Sequence, residues 1–197
     1  MKNSTIIKSG FLMLIFMLIC VFFVSLAEKT TKAKIEINEQ ELLIKRLNEI
    51  VSNYDNPILD DKFYRTIDLH GIEQTITIFP AKTNNTVFAH LVEHTYPNGY
   101  NGNIGLLTGI NVDGSLLGVR VVNHKETPGL GDKIETRKSN WIKSFAGLSL
   151  KNTERSKWKV KRDGGIFDQF TGATITPRAI VSAAYQILDY FSKNEIK

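Results

Sequence analysis

The stretch Asp168-Gln-Phe-Thr-Gly-Ala-Thr-Ile-Thr-Pro177 brings together residue types that could hold a phosphate. Two threonine hydroxyls, Thr171 and Thr174, flank Gly172 and Ala173, whose small surfaces let a bulky group approach the backbone. Thr176 suits an N-cap and Pro177 the first helical position, where a missing N–H costs nothing. Beyond them Ile180, Val181, Ala184, Ile187, Leu188 and Phe191 recur at helical spacing on one face. The pattern predicts a loop that delivers Thr171 and Thr174 to the positive end of a helix, where unpaired N–H groups favour an anion. An ordinary turn before an ordinary capped helix has the same composition, so this stretch alone admits both readings.

A second stretch, His124-Lys-Glu-Thr-Pro-Gly-Leu-Gly131, shifts the balance toward a ligand. Pro128-Gly129 sets a sharp turn and Gly131 removes a side chain, which exposes backbone N–H and C=O groups to a flat partner. Glu126 and Thr127 could hydrogen-bond a polar edge, and Leu130 could pack on a ring. Tyr100, in the Gly-rich loop Pro97–Gly102, could stack on the same ring or simply pack in its loop. His124 has no second ligand at sensible spacing, so a metal role is not expected. By its position alone it reads as a structural residue at a strand end.

Asp168-x-x-Thr171-Gly172-Ala173-Thr174 resembles the attachment motif of the FMN-binding domain family, in which FMN is joined through its phosphate to the last Thr, here Thr174. His124 to Gly131 is similar to that family's other motif, which lies around the bound flavin. Together with an apolar segment near residue 1 and the total length, these motifs resemble the G-subunit family of Rnf/Rsx electron transport complexes over nearly the whole chain. The resemblance implies covalent FMN on Thr174, and the residues expected around it are Tyr100, His124, Glu126, Thr127, Gly129, Leu130, Gly131, Thr171, Gly172, Ala173 and Thr176. It also implies a flavin transferase that takes FMN from FAD and recognises Asp168, although a solvent-exposed loop carboxylate is an equal reading of that residue. An unaided Thr hydroxyl is a poor nucleophile, which fits a dedicated enzyme. The implied function is electron relay within an ion-translocating oxidoreductase, with the other members of the complex as partners and no self-contained catalytic site. The C-subunit family of the sodium-translocating NADH:quinone reductase, or a stand-alone membrane-anchored FMN-binding sensor domain, are the alternatives.

These motifs need elements to position them. The chain has 197 residues, 42% hydrophobic, enough for an anchor and one compact domain. Its net charge of +5 is scattered, with no basic stripe or recognition motif, so nucleic-acid binding is not expected. Cys20 is the only cysteine, which excludes an intrachain disulfide. Ser9 to Ala27 is an uncharged run of 19 residues, long enough to cross a bilayer core of about 30 Å. A signal peptide would account for Lys2, Lys8 and the small residues Ser25 and Ala27, but the run exceeds the roughly 7–15 apolar residues of such signals, which favours an uncleaved anchor. Flanking lysines are nearly balanced across it. The family resemblance implies a cytoplasmic N-terminus at residues 1–8, an anchor at 9–27 in the cytoplasmic membrane, and the body on the extracytoplasmic side.

Ile35 to Tyr54 carries Leu42, Leu43, Leu47, Ile50 and Val51 on one stripe, so an amphipathic linker helix is expected within 28–56. Asn56-Pro57 ends it. The remainder, 57–197, is expected to be one domain with its FMN-binding region at 98–195. Thr75–Phe79 and Thr86–Val92 alternate as strands do. Ile104–Ile110 and Ser115–Val122 flank Asn111-Val-Asp-Gly114, a hairpin signal. Asp132–Phe145 reads as a helix, Trp158–Lys161 as a short strand and Asp163–Gly165 as a turn. Strand hairpins mixed with helices, without βαβ alternation, predict an α+β fold with antiparallel pairing. No glycine-rich dinucleotide fingerprint is present, so direct NADH binding is not expected.

Overall fold

The computed structural model describes residues 2–69 and 71–194; Met1 and 195–197, the outer ends of the expected segments, lie outside the described residues. The chain divides into two units, Met1–Ile44 and Lys45–Lys197. In the first, helix α1 (Lys2–Asn48) starts and runs unbroken past residue 44. Leu, Ile, Phe and Met side chains from Ile6 to Leu26 are exposed all around it. A helix apolar on every side has no aqueous face and suits a lipid solvent. Among the described residues it is the one helix long and apolar enough to cross a membrane.

The second unit is built on five strands, β1 (Phe63–Leu69), β2 (Ile72–Thr83), β3 (Thr86–Gly99), β4 (Gly102–Asn111) and β5 (Leu116–Asn123). They pair antiparallel in sequence order as a meander. Asn84 and Asn85 join β2 to β3 with φ of 50° and 58°, the backbone that a two-residue hairpin with the right twist requires and that Asn tolerates. After the sheet comes a long irregular stretch, then helix α2 (Ile175–Lys193).

The sheet's two faces follow from side-chain alternation. Ile76, Ile78, Val92, Ile104, Leu106, Ile110 and Val119 meet Ile180, Val181, Ala184, Ile187 and Leu188 of α2 in one core cluster. Ile134, Ile142, Phe145, Trp158, Phe167 and Phe170 of the irregular stretch complete it. The opposite face, with Phe79, Leu91 and Leu107, is buried too. The chain after Lys45 lies over it: Ile50 closes on Gly109, and Arg120 donates to the Glu49 carboxylate at 3.0 Å and to its carbonyl at 2.8 Å.

The α+β class and the antiparallel hairpins are as expected, and several local assignments are corrected. The helix expected over Asp132–Phe145 is two 3-10 turns, Gly131–Ile134 and Trp141–Phe145. Ser139 interrupts it, donating its hydroxyl to the Lys133 carbonyl at 2.6 Å and accepting the Trp141 N–H at 3.1 Å. In place of a strand at Trp158–Lys161 there is a single bridge, Val160 to Phe167, beside a 3-10 turn at Lys161–Asp163. The amphipathic pattern of 35–54 continues α1 and stops at Asn48, whose side chain accepts the Tyr54 hydroxyl at 2.7 Å.

Candidate functional site

Two turns and a helix start converge beside the β3–β4 hairpin. Phe170-Thr171-Gly172-Ala173 closes with the Ala173 N–H on the Phe170 carbonyl, and Gly172 takes φ of 83° at the third position. Thr127-Pro128-Gly129-Leu130 closes likewise, with Leu130 and Gly131 N–H groups on the Thr127 carbonyl and Gly129 at φ of 78°. Proline second and a left-handed glycine third are what such a turn demands. Between the two turns lies a cavity of about 280 Å³, lined by Tyr100, Glu126, Thr127, Leu130, Gly131, Gly172, Ala173, Thr174, Ile175 and Thr176. That volume falls just below the roughly 300–1,000 Å³ of enclosed small-molecule sites, so the cleft grips part of a ligand and leaves the rest in solvent.

Its floor is polar and buried. Glu126 is 4% exposed and Thr176 1%. The Thr176 hydroxyl donates to Glu126 Oε2, and the Asn101 N–H donates to Oε1 at 3.1 Å. Gly131 must be glycine for this packing, since a Cβ there would sit 2.9 Å from Thr176 Oγ1 and 3.0 Å from Glu126 Cβ. The rim is apolar and open: Tyr100, Leu130 and Ile175 are 62%, 41% and 44% exposed.

Thr176 is therefore not the helix cap. Helix α2 begins ahead of it, at Ile175, so that Thr174 is the N-cap and Pro177 falls third rather than first. The usual cap bond runs from the N–H of the second or third residue to the cap hydroxyl. Proline at the third position has no N–H to give, and the Thr174 hydroxyl makes no capping bond. A half-buried hydroxyl free of backbone duty thus stands at the positive end of a helix, where N–H groups await an anion.

The remaining expected residues lie around the cleft rather than in it. His124 accepts the Glu126 N–H on Nδ1 at 3.0 Å, which leaves the proton on Nε2 to donate to Glu135 at 3.0 Å. Arg137 and then His124 hold the Glu135 carboxyl below its ordinary value. Gly129 forms the turn without lining the cavity, and Thr171 is exposed on its own turn. Asp168 points to solvent, pairs with Lys161 at 2.5 Å, and its carbonyl accepts the Trp141 indole N–H at 2.8 Å. Three contributors escaped the sequence reading. Ile175 lines the rim, and Asn101 supplies the second donor to Glu126 and reaches Thr127 Oγ1 at 3.3 Å. Asp132, buried, has its carboxyl held low first by the Gly129 N–H and further by Lys138. An Asx-type residue just after a Pro-Gly turn was the available signal for it.

A small-surfaced cleft with a buried polar floor, an apolar open rim and a helix N-terminus at one end fits a flat aromatic ring carrying a phosphate. FMN is such a molecule, and the residues present suit it. The match to known families agrees: residues 99–189 match the family described as FMN-binding domain. Residues 1–50 match the one described as RnfG N-terminal region. Three relatives each bear the name of the G subunit of an ion-translocating oxidoreductase complex. That of Shewanella baltica (strain OS223) is 43% identical over 203 residues, spanning 99% of this chain and 93% of its own. That of Vibrio atlanticus (strain LGP32) is 40% identical, over 97% of this chain and 92% of its own. That of Shewanella piezotolerans (strain WP3 / JCM 13877) is 42% identical, over 100% and 94%. The chain belongs to the G-subunit family of ion-translocating oxidoreductase complexes.

Proposed function

We propose that FMN is esterified to Thr174 and that the chain relays electrons as a flavoprotein subunit of an ion-translocating oxidoreductase complex. The observation that carries the covalent reading is the Thr174 hydroxyl itself: an N-cap residue without a capping bond, at a helix N-terminus, on the wall of the cleft. In the attachment step the Thr174 oxygen attacks the flavin-side phosphorus of FAD. The pyrophosphate P–O bond breaks, AMP departs with the bridging oxygen, and the hydroxyl proton passes to a base of the flavin transferase. No electrons change hands. The transferase reads Asp168 beside the loop.

Once bound, FMN supplies the redox chemistry, and the protein sets its orientation and exposure. In this reading α2's first N–H groups neutralise the phosphate, Glu126, Thr176 and Asn101 order the polar floor, and Leu130 and Tyr100 flank the ring. The open rim keeps the ring edge within reach of a redox partner. His124 and Gly129 shape the loop from behind. Helix α1 anchors the chain in the lipid of the cytoplasmic membrane, with the FMN-binding domain on the extracytoplasmic side and the other members of the complex as partners.

The test is the intact mass of the chain co-expressed with a flavin transferase, beside a Thr174→Ala control. A gain of FMN less one water in the first and none in the second is expected. No gain in either, with the transferase shown active on another substrate, would overturn the covalent reading.

A further inference from the structure

The cleft is not the largest concavity. A groove of about 1,180 Å³ lies along the outer side of α2, between that helix and the segment 155–163. Nothing in the flavin site uses it. Five cations occupy eight positions of this segment: Arg155, Lys157, Lys159, Lys161 and Arg162. Buried Trp158, 5% exposed, and Val160, 1%, pin the segment to the core between them, so the cations on either side are held outward. Arg155 lies over the Tyr185 ring at 5.6 Å, on the groove's far wall. The strap is thus a fixed cationic surface on a well-packed base.

It is also tied to the attachment loop. Lys161 pairs with Asp168, the Lys161 N–H donates to the Phe167 carbonyl at 2.7 Å, and Arg178 grips Asp163 with two bonds of 2.6 and 2.9 Å. Arg178 lines the groove and lies four residues after Thr174, the N-cap of its helix. Residues four apart share a helix face about 6 Å apart along the axis. Arg178, on the groove's wall, therefore stands about one helical turn along the axis from Thr174.

From this continuity we infer that the strap, beside the groove, is the docking surface for the enzyme that esterifies Thr174, engaged through an acidic face and the anionic dinucleotide it carries. The inference rests on the covalent reading above and adds the partner's chemistry and its footprint. Any agent that transfers a phosphoryl group to Thr174 must cover the ground around it, and on this side the excess of cations lies on the strap, since Asp68, Asp163 and Asp189 nearly balance Arg155, Lys159, Arg178 and Lys193 in the groove itself. Such surfaces raise encounter rates and bind more weakly as salt screens them.

The experiment is steady-state FMN transfer from FAD by a purified flavin transferase to the full-length chain in detergent, isolated without flavin and followed by intact mass. The variant is Lys157→Glu/Lys159→Glu/Arg162→Glu, with Lys157→Gln/Lys159→Gln/Arg162→Gln as the milder form. These three side chains make none of the described ion pairs, and melting curves check that both variants stay folded. Expected are a KM for the acceptor chain raised roughly ten-fold or more, a kcat within about two-fold, and a loss of the wild-type chain's salt dependence. The glutamine form should fall between. Wild-type KM in both folded variants would overturn the inference while leaving the covalent reading intact. If those variants instead lost binding to phosphatidylglycerol vesicles, the strap would be a lipid-facing surface and the inference would fail in favour of it. A wild-type chain that takes up no FMN would instead bring down the covalent reading.

Discussion

Adding one methyl group at Gly131 tests the cleft's floor. Its backbone is not left-handed, so alanine is conformationally allowed, and a Gly→Ala change of that kind ordinarily stabilises by about 0.4–1 kcal/mol through the unfolded chain. The structure reverses that sign. The new Cβ would stand 2.9 Å from Thr176 Oγ1, 3.0 Å from Glu126 Cβ and 3.1 Å from Glu126 Oε2. Neither neighbour can yield cheaply, because both are buried and bonded to each other. Overpacking costs about 1–3 kcal/mol, and strain on the buried Thr176–Glu126 hydrogen bond adds about 1 kcal/mol. After the unfolded-chain gain is subtracted, a net loss of about 1–3 kcal/mol is expected. For a domain of this size that lowers Tm by roughly 3–9 °C. The assay is thermal unfolding of the flavin-free chain in detergent, followed by fluorescence of Trp141 and Trp158. Gly129→Ala is the contrast: its Cβ would meet nothing within 4 Å, and its cost of about 1–2 kcal/mol comes from the left-handed backbone alone. Flavin loading should suffer more from Gly131→Ala than from Gly129→Ala at matched stability. A Gly131→Ala chain as stable as wild type would refute the packed floor.

Acid should act on the domain in two steps. Burial, with Arg65 nearby, lowers the His90 imidazole below its ordinary 6.5, so its contribution is full above that pH and is lost as pH falls through the folded value. Urea midpoints should decline below about pH 6.5, and His90→Gln should flatten that limb; an unchanged slope would count against it. Asp132 behaves as a depressed carboxylate: its stabilisation is present above 3.8 and lost as pH falls further, so Asp132→Asn should remove part of the acid limb below pH 4 in the same titration. Trp141→Phe keeps the ring contacts with Phe145 and Phe170 but drops the bond to the Asp168 carbonyl. A loss of about 0.5–1.5 kcal/mol and faster proteolysis at 168–172 are expected, and wild-type cleavage would argue that the loop is held otherwise.

Strands and the final helix were legible because their alternation and helical spacing survive in the sequence: β4 and β5 flank Asn111–Gly114 as expected, and α2 buries the anticipated stripe. Residues 131–163 were not. Ile134, Ile142 and Phe145 are spaced as on a helix face, yet they enter the core from separate 3-10 turns, because serine side chains took the backbone bonds a helix needs. Strand β1 was missed since Tyr64, Thr66 and Asp68 face solvent at the sheet's edge and dilute its apolar signal. In the site, the motifs named several of the residues that line the cleft, but not the contacts those residues make. Thr176 looked like a cap from its neighbours alone, whereas its partner, Glu126, lies fifty residues away. No local pattern encodes a bond of that span.

That bond orders events in the life of the chain. One side of the cleft comes from the loop after β5 and the other from the first turn of α2, so neither half exists as a site until both have been made and have met. A polypeptide stalled or clipped before α2, or one whose sheet has not closed on it, offers a modifying enzyme the motif letters without the presented hydroxyl. On the covalent reading proposed above, cofactor attachment would then serve as an inspection stamp: a chain that carried flavin would already have passed a folding test, and rejected chains would stay colourless.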